Sequence, residues 1–162
     1  MFEMPRPTPE HARLAALAGT WLGEEHLLPS AFDPVGGTAV GRVHARMALD
    51  GFYLIADYEQ ERNGRVNFRG HGVYGWDPRG RCYTMHWFDS IGIEHDAPGL
   101  GSWDAETLTL VHETRHTGSS RYTYTVGEGM YQLRLEHSPD GSAWTTIMAG
   151  SYARIAEPPG KA

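Results

Sequence analysis

The chain has 162 residues, 40% apolar, 21% charged and 11% aromatic, with 20 Gly and 10 Pro scattered along it. That balance excludes disordered, collagen-like and low-complexity chains and predicts a single domain over 1–162. Lys and Arg number 14 against 20 Asp and Glu, a formal charge of −6 that argues against a phosphate-binding face for nucleic acid.

The first predicted element is a short helix: Thr8 can cap it, Pro9 suits its first position, Leu14, Leu17 and Ala18 recur at helical spacing, and Gly19 stops it. Beyond Gly19 the period changes to alternation, and turn signals at Asp50-Gly51, Asn63-Gly64, Asp77-Pro-Arg-Gly80, Glu128-Gly129 and Pro139-Asp-Gly141 separate runs of branched and aromatic residues. Strands are predicted at 20–27, 38–48, 52–61, 65–76, 81–89, 99–104, 106–113, 119–126, 130–137 and 143–155. Sequential strands with hairpin connections make a meander. One this long removes its edges by closing, so the expected fold is all-β, a closed antiparallel up-and-down barrel of about ten strands with the helix over one end. The segments 28–37 and 90–98 read as long loops.

Hairpin register then assigns faces. A two-residue loop at Asn63-Gly64 sets Tyr58 opposite Arg69 and Ala56 opposite His71, and a three-residue loop at 78–80 sets Arg69 opposite Asp89 and His71 opposite Trp87. The more apolar face, Phe52, Leu54, Ala56, Tyr58, Arg69, His71, Val73, Met85, Trp87 and Asp89, is expected inside. Tyr53, Phe68, Gly70, Gly72 and Tyr74 fall outside, where Tyr53, Phe68 and Tyr74 would offer a second copy of the chain a homodimer face. Across Glu128-Gly129, Tyr122, Tyr124, Val126, Tyr131, Leu133 and Leu135 share the inner face. The last strand is untidy: Trp144, Met148 and Tyr152 fall with the polar side and Ile147 with the apolar one.

The interior so built has a cavity's composition, and its expected ligand-binding residues are Tyr58, Arg69, His71, Met85, Trp87, Asp89 and Tyr124. Arg69 and His71 would anchor an anionic group. An alternative use of the same cavity is metal-independent isomerisation, cyclisation or hydrolysis, with His71 as acid or base and Asp89 orienting it. The bland counterpart is a buried Arg69–Asp89 pair that sets strand register.

Nine histidines invite a metal reading, but their spacing is poor: His112 and His116 lie about 13 Å apart on an extended strand. No metal site is predicted. Asp57 and Glu59 read as the wet face of a strand, and Gly70, Gly72 and Gly75 as bends in a closing sheet. The single Cys82 has neither a bridging partner nor a histidine forced beside it. With no apolar run near the roughly 18 residues of a membrane-spanning helix and no leader-like N-terminus, the expectation is a cytoplasmic protein without a membrane partner.

Gly19-Thr-Trp21 opening the first strand after a short helix, with Arg154 late in the last strand, resembles the calycin group of lipocalins and fatty-acid-binding proteins. That resemblance implies structural roles, Trp21 closing the barrel floor and Arg154 packed over it. Over nearly the whole chain, Leu17-Ala-Gly-Thr-Trp-Leu-Gly-Glu24, Leu49-Asp-Gly51, Gly70-His-Gly-Val-Tyr-Gly-Trp-Asp77, Trp87-Phe-Asp-Ser90, Ser120-Arg-Tyr-Thr-Tyr124 and Ser138-Pro-Asp-Gly141 resemble the bacterial family catalogued as domain of unknown function 1579. It implies a fold and no activity. A distant likeness to nitrobindins would imply a haem carrier, but their ligating histidine has no counterpart between Trp144 and Ile155. The expected function is binding of a small, mostly apolar or aromatic molecule, with no cofactor predicted and a haem or tetrapyrrole carrier as a further alternative.

Overall fold

A computed structural model describes residues 1–156. A helix α1 (Pro9–Arg13) runs into a 3-10 turn (Leu14–Leu17). Ten strands follow: β1 (Gly19–Leu27), β2 (Gly37–Ala48), β3 (Tyr53–Arg62), β4 (Arg65–Asp77), β5 (Cys82–Asp89), β6 (Gly99–Asp104), β7 (Thr107–Thr114), β8 (Gly118–Gly127), β9 (Met130–Ser138) and β10 (Thr145–Ile155). Each pairs antiparallel with its neighbour in sequence, and β10 pairs with β1, so the sheet is a closed barrel with no free edge. No helix among the described residues is long and apolar enough to cross a membrane.

The helix seals one end. Leu14 and Leu17 are buried, and Trp21, 1% exposed, donates its indole N–H to the Leu17 carbonyl at 3.0 Å. The Arg154 guanidinium lies 4.4 Å from the Trp21 ring and donates to the Ala18 carbonyl at 2.6 Å, while Tyr131 meets the same ring edge-on at 4.8 Å. Trp21 and Arg154 are register partners across the β1–β10 seam, so one aromatic residue joins the helix, the barrel floor and the closing pair.

Two irregularities correct the expected faces. The Asn63-Gly64 turn forms as predicted, with Arg62 opposite Arg65, but Asn67 bulges out of β4 and shifts every later pair by one residue. Tyr58 therefore faces Gly70, Ala56 faces Gly72 and Leu54 faces Tyr74. The next loop has four residues, 78–81, with Arg81 at positive φ, and it shifts β4 against β5 by one more: Gly70 faces Asp89 and Gly72 faces Trp87. The two shifts cancel across β4. Met85, Trp87 and Asp89 stay on the Tyr58 side as predicted, while β4 alone is turned over, and Phe68, Gly70, Gly72 and Tyr74 point inward. Phe52 leaves the expected inner strand face as well, because it belongs to the turn after β2, where it meets the His11 ring edge-on at 5.0 Å.

The inward glycines seat rings. A β-carbon on Gly70 would come within 2.1 Å of the Trp87 indole, and one on Gly23 within 2.2 Å of the Tyr152 ring. Both side chains lie flat on the wall instead of projecting across the barrel, and the centre stays open.

Candidate functional site

The barrel encloses a cavity of about 560 Å³. Leu17, Val43, Ala45 and Leu54 form its floor, rings from β3, β5, β8, β9 and β10 its wall, and Ser30, Phe32, Asp33, Arg62 and Asn67 its mouth. The Leu28–Gly36 loop folds over the mouth, where Arg62 bridges to Asp33 at 2.7 Å.

The sequence-predicted residues divide. Tyr58, Trp87, Asp89 and Tyr124 line the cavity. Met85 points inward but lies behind the lining, 2% exposed, within the packed core. Arg69 and His71 are corrections: with β4 turned over they stand outside, Arg69 3.2 Å from Glu59 and His71 2.7 Å from Asp57. The expected Arg69–Asp89 pair and the His71–Asp89 acid–base constellation are therefore not built, since Asp89 faces the opposite side of the sheet. Phe68 and Tyr74, assigned to an outer dimer face, line the cavity instead. Exposed ion pairs contribute little. Arg69→Ala and His71→Ala are expected to cost less than about 1 kcal/mol in urea unfolding and to leave cavity ligand affinity within about twofold of the parent.

At the centre of the site is a residue that pattern reading passed over. Glu25 on β1 is 0% exposed. The Tyr58 hydroxyl sits 2.7 and 2.8 Å from its two carboxyl oxygens, the Gln60 amide donates at 3.1 Å, and the Tyr152 hydroxyl donates to Oε2. Gln60 is oriented in turn by Asn67, whose amide donates to the Gln60 oxygen at 3.0 Å. The bulge that reverses β4 thus also supplies the side chain that aims Gln60 at Glu25. Gly41 makes room, since a β-carbon there would lie 2.6 Å from the carboxyl group. All these groups donate and none carries a positive charge, so hydrogen bonds alone hold the carboxyl group.

Alternation alone could have found Glu25. Trp21 fixes the inner face of β1, and Gly23, Glu25 and Leu27 follow at strand period. The adjacent Glu24 and His26, both exposed, give the segment the look of a wet strand.

The phenols set the chemistry of the wall. Burial and the neighbouring Glu25 push the Tyr58 and Tyr152 pKa values well up, so both hydroxyls stay protonated and their protons are committed to the carboxyl group. Tyr74, 2.8 Å from the Tyr124 hydroxyl, is pushed up to about 12 by burial, and Tyr124, Tyr122 and Tyr131 move the same way for the same reason. The Tyr122 and Tyr131 hydroxyls have no hydrogen-bond partner among the described residues. Asp89 accepts from the Trp87 indole and the Ile91 amide, each at 3.0 Å.

Among the described residues no histidine lines the cavity, so none of them offers haem iron an imidazole ligand there. His112, the inward histidine of β7, is engaged with the Ala97 carbonyl at 2.8 Å, and burial lowers its pKa.

The profile of a family described as a protein of unknown function (DUF1579) matches residues 6–154. Among solved structures, the crystal structure of Rv2717c from M. tuberculosis is similar at a TM-score of 0.70, with 14% identity over 92% of this chain and 99% of that one. At that identity the likeness bears on fold alone. No curated protein matches.

Proposed function

The chain belongs to the DUF1579 family, and from that premise we propose that its barrel binds a small, largely apolar or aromatic molecule. The observation that carries this reading is the 560 Å³ interior, walled by rings and branched side chains and supplied with two phenols, Tyr122 and Tyr131, that have no protein partner. A barrel used only as a packing scaffold fills its centre with side chains. Here two large rings lie flat on glycines and leave it open. Mostly apolar walls with a few placed polar groups are the usual make-up of small-molecule sites. Binding fits better than acid–base catalysis because the proposed His71 base stands outside the barrel. The lone Cys82 is consistent with a reducing cytoplasm.

N-phenyl-1-naphthylamine, neutral and fluorescent in apolar surroundings, tests the proposal. It is expected to brighten on titration with the protein, and Leu133→Trp, which places an indole in the cavity, is expected to weaken it about 100-fold or more, roughly 2.7 kcal/mol, with the melting temperature retained. Probe uptake equal in the parent and in Leu133→Trp would place the probe elsewhere. No uptake, together with a native mass equal to that of the bare chain, would overturn the binding reading.

A further inference from the structure

The charge balance of the cavity is one-sided. Asp89 lines it, and Glu25 stands directly behind Tyr58 and Tyr152, reaching the interior only through their hydroxyl oxygens. Among the described residues the only cationic side chain on the lining is Arg62 at the mouth, already bridged to Asp33 at 2.7 Å. Arg69, which would have balanced Asp89, is outside the barrel. Tyr58 and Tyr152 give their protons to Glu25, and the Tyr58 oxygen also accepts from the Gln60 amide at 3.1 Å, so neither phenol offers the interior a proton, and Asp89 is acceptor-only as a carboxylate. Around these groups stand the rings of Tyr58, Trp87, Tyr122, Tyr124, Tyr131 and Tyr152, the last two stacked on each other at 4.7 Å. The Tyr131 hydroxyl, without a hydrogen bond to the described residues, opens onto the same interior, where it can meet a ligand or water.

Ring faces carry the negative lobe of the aromatic quadrupole and attract organic cations, and carboxylates nearby add to that attraction. An anion in the same place would be desolvated against Asp89 with no free cation to meet it. We propose that the ligand of this cavity is an organic cation, an alkylated ammonium or a protonated amine on an aromatic or aliphatic body, held by the ring cage and the Asp89 and Glu25 side. This rests on the binding reading above and adds the sign of the ligand's charge to it.

Three monosubstituted benzenes with tetrahedral heads, one cationic, one neutral and one anionic, decide the matter: phenyltrimethylammonium, tert-butylbenzene and benzenesulfonate, each measured by displacement of N-phenyl-1-naphthylamine. The ammonium ion is expected to bind about tenfold or more tighter than its neutral carbon isostere, and the sulfonate to bind weakest. Asp89→Asn and Glu25→Gln, which keep side-chain volume, are each expected to shrink the ammonium-to-neutral ratio about threefold while leaving tert-butylbenzene unchanged. Asp89→Asn keeps the test open should Glu25→Gln fail to fold. Equal or tighter binding of tert-butylbenzene or the sulfonate overturns the charge proposal and leaves the cavity reading standing, as does a ratio unmoved by either substitution. If N-phenyl-1-naphthylamine itself does not bind, the cavity reading has failed and the charge proposal goes with it.

Discussion

Trp21→Ala is expected to cost about 3–5 kcal/mol, the range for deleting a large buried ring. Trp21 is 1% exposed and holds four parts of the molecule at once: the Leu17 carbonyl at the end of the helical segment, Tyr131 on β9, Arg154 on β10, and its own strand. Removing the indole opens a void at the floor and strips the Arg154 guanidinium of its ring. For a chain of this size the loss lowers the melting temperature by on the order of 10 °C. Trp21→Phe retains most of the packing but deletes the N–H, so it is expected to lose less than half as much. Calorimetry of the two variants checks the ordering. A Trp21→Ala protein melting within about 2 °C of the parent would mean that the floor is held by the helix and not by this residue.

The second large effect belongs to the buried carboxyl group. The double substitution Tyr58→Phe with Tyr152→Phe removes both phenol donors from Glu25 and leaves Gln60 alone beside it. Leaving a buried hydrogen-bonding group without its partners costs about 1–3 kcal/mol. Here only two hydroxyls are removed and no ring volume is lost, so the cost falls on polar satisfaction and not on packing. Adding Glu25→Leu to the double variant removes the group left without partners and is expected to restore at least half of the loss, because taking away a whole polar cluster costs less than orphaning one member. Urea unfolding of the parent, double and triple variants measures both steps. A double variant within about 1 kcal/mol of the parent, or a triple variant less stable than the double, contradicts this account.

The fold was largely legible because its determinants are local. The strands have their own alternation, and several turns carry a residue suited to positive φ, as at Asn63-Gly64 and at Gly129. The β8–β9 hairpin reads directly: with Val126 opposite Tyr131, the inner set Tyr122, Tyr124, Tyr131, Leu133 and Leu135 follows by counting. The site was half legible for a reason just as local. A bulge at Asn67 and a four-residue loop where three were expected each displace the register by one, and neither has a distinctive composition. Trp87 and Asp89 were placed correctly only because the two displacements cancel across β4, and Arg69 and His71, which lie between them, were not. The untidy β10 has the same origin. Its register slips at Ile147, so Ile147 and Met148 both line the cavity and Tyr152 turns inward. Alternation from Trp21 places Glu25 on the inner face, but its partners lie 33, 35 and 127 residues away, and periodicity within β1 cannot name them.

The seam between β1 and β10 also sets the order in which the molecule can be assembled. Nine of the ten pairings join strands that follow one another along the chain, and only this one joins its first strand to its last. Hairpins can form in sequence as local events, each closing a short loop, whereas the final pairing waits for Thr145–Ile155 and closes nearly the whole chain. Without that pairing the sheet has two raw edges, at β1 and β10, and the carboxyl group of Glu25 lacks the hydroxyl of Tyr152. Closing the barrel and completing the cavity are therefore one event, and a chain without this pairing has neither a closed barrel nor a finished pocket.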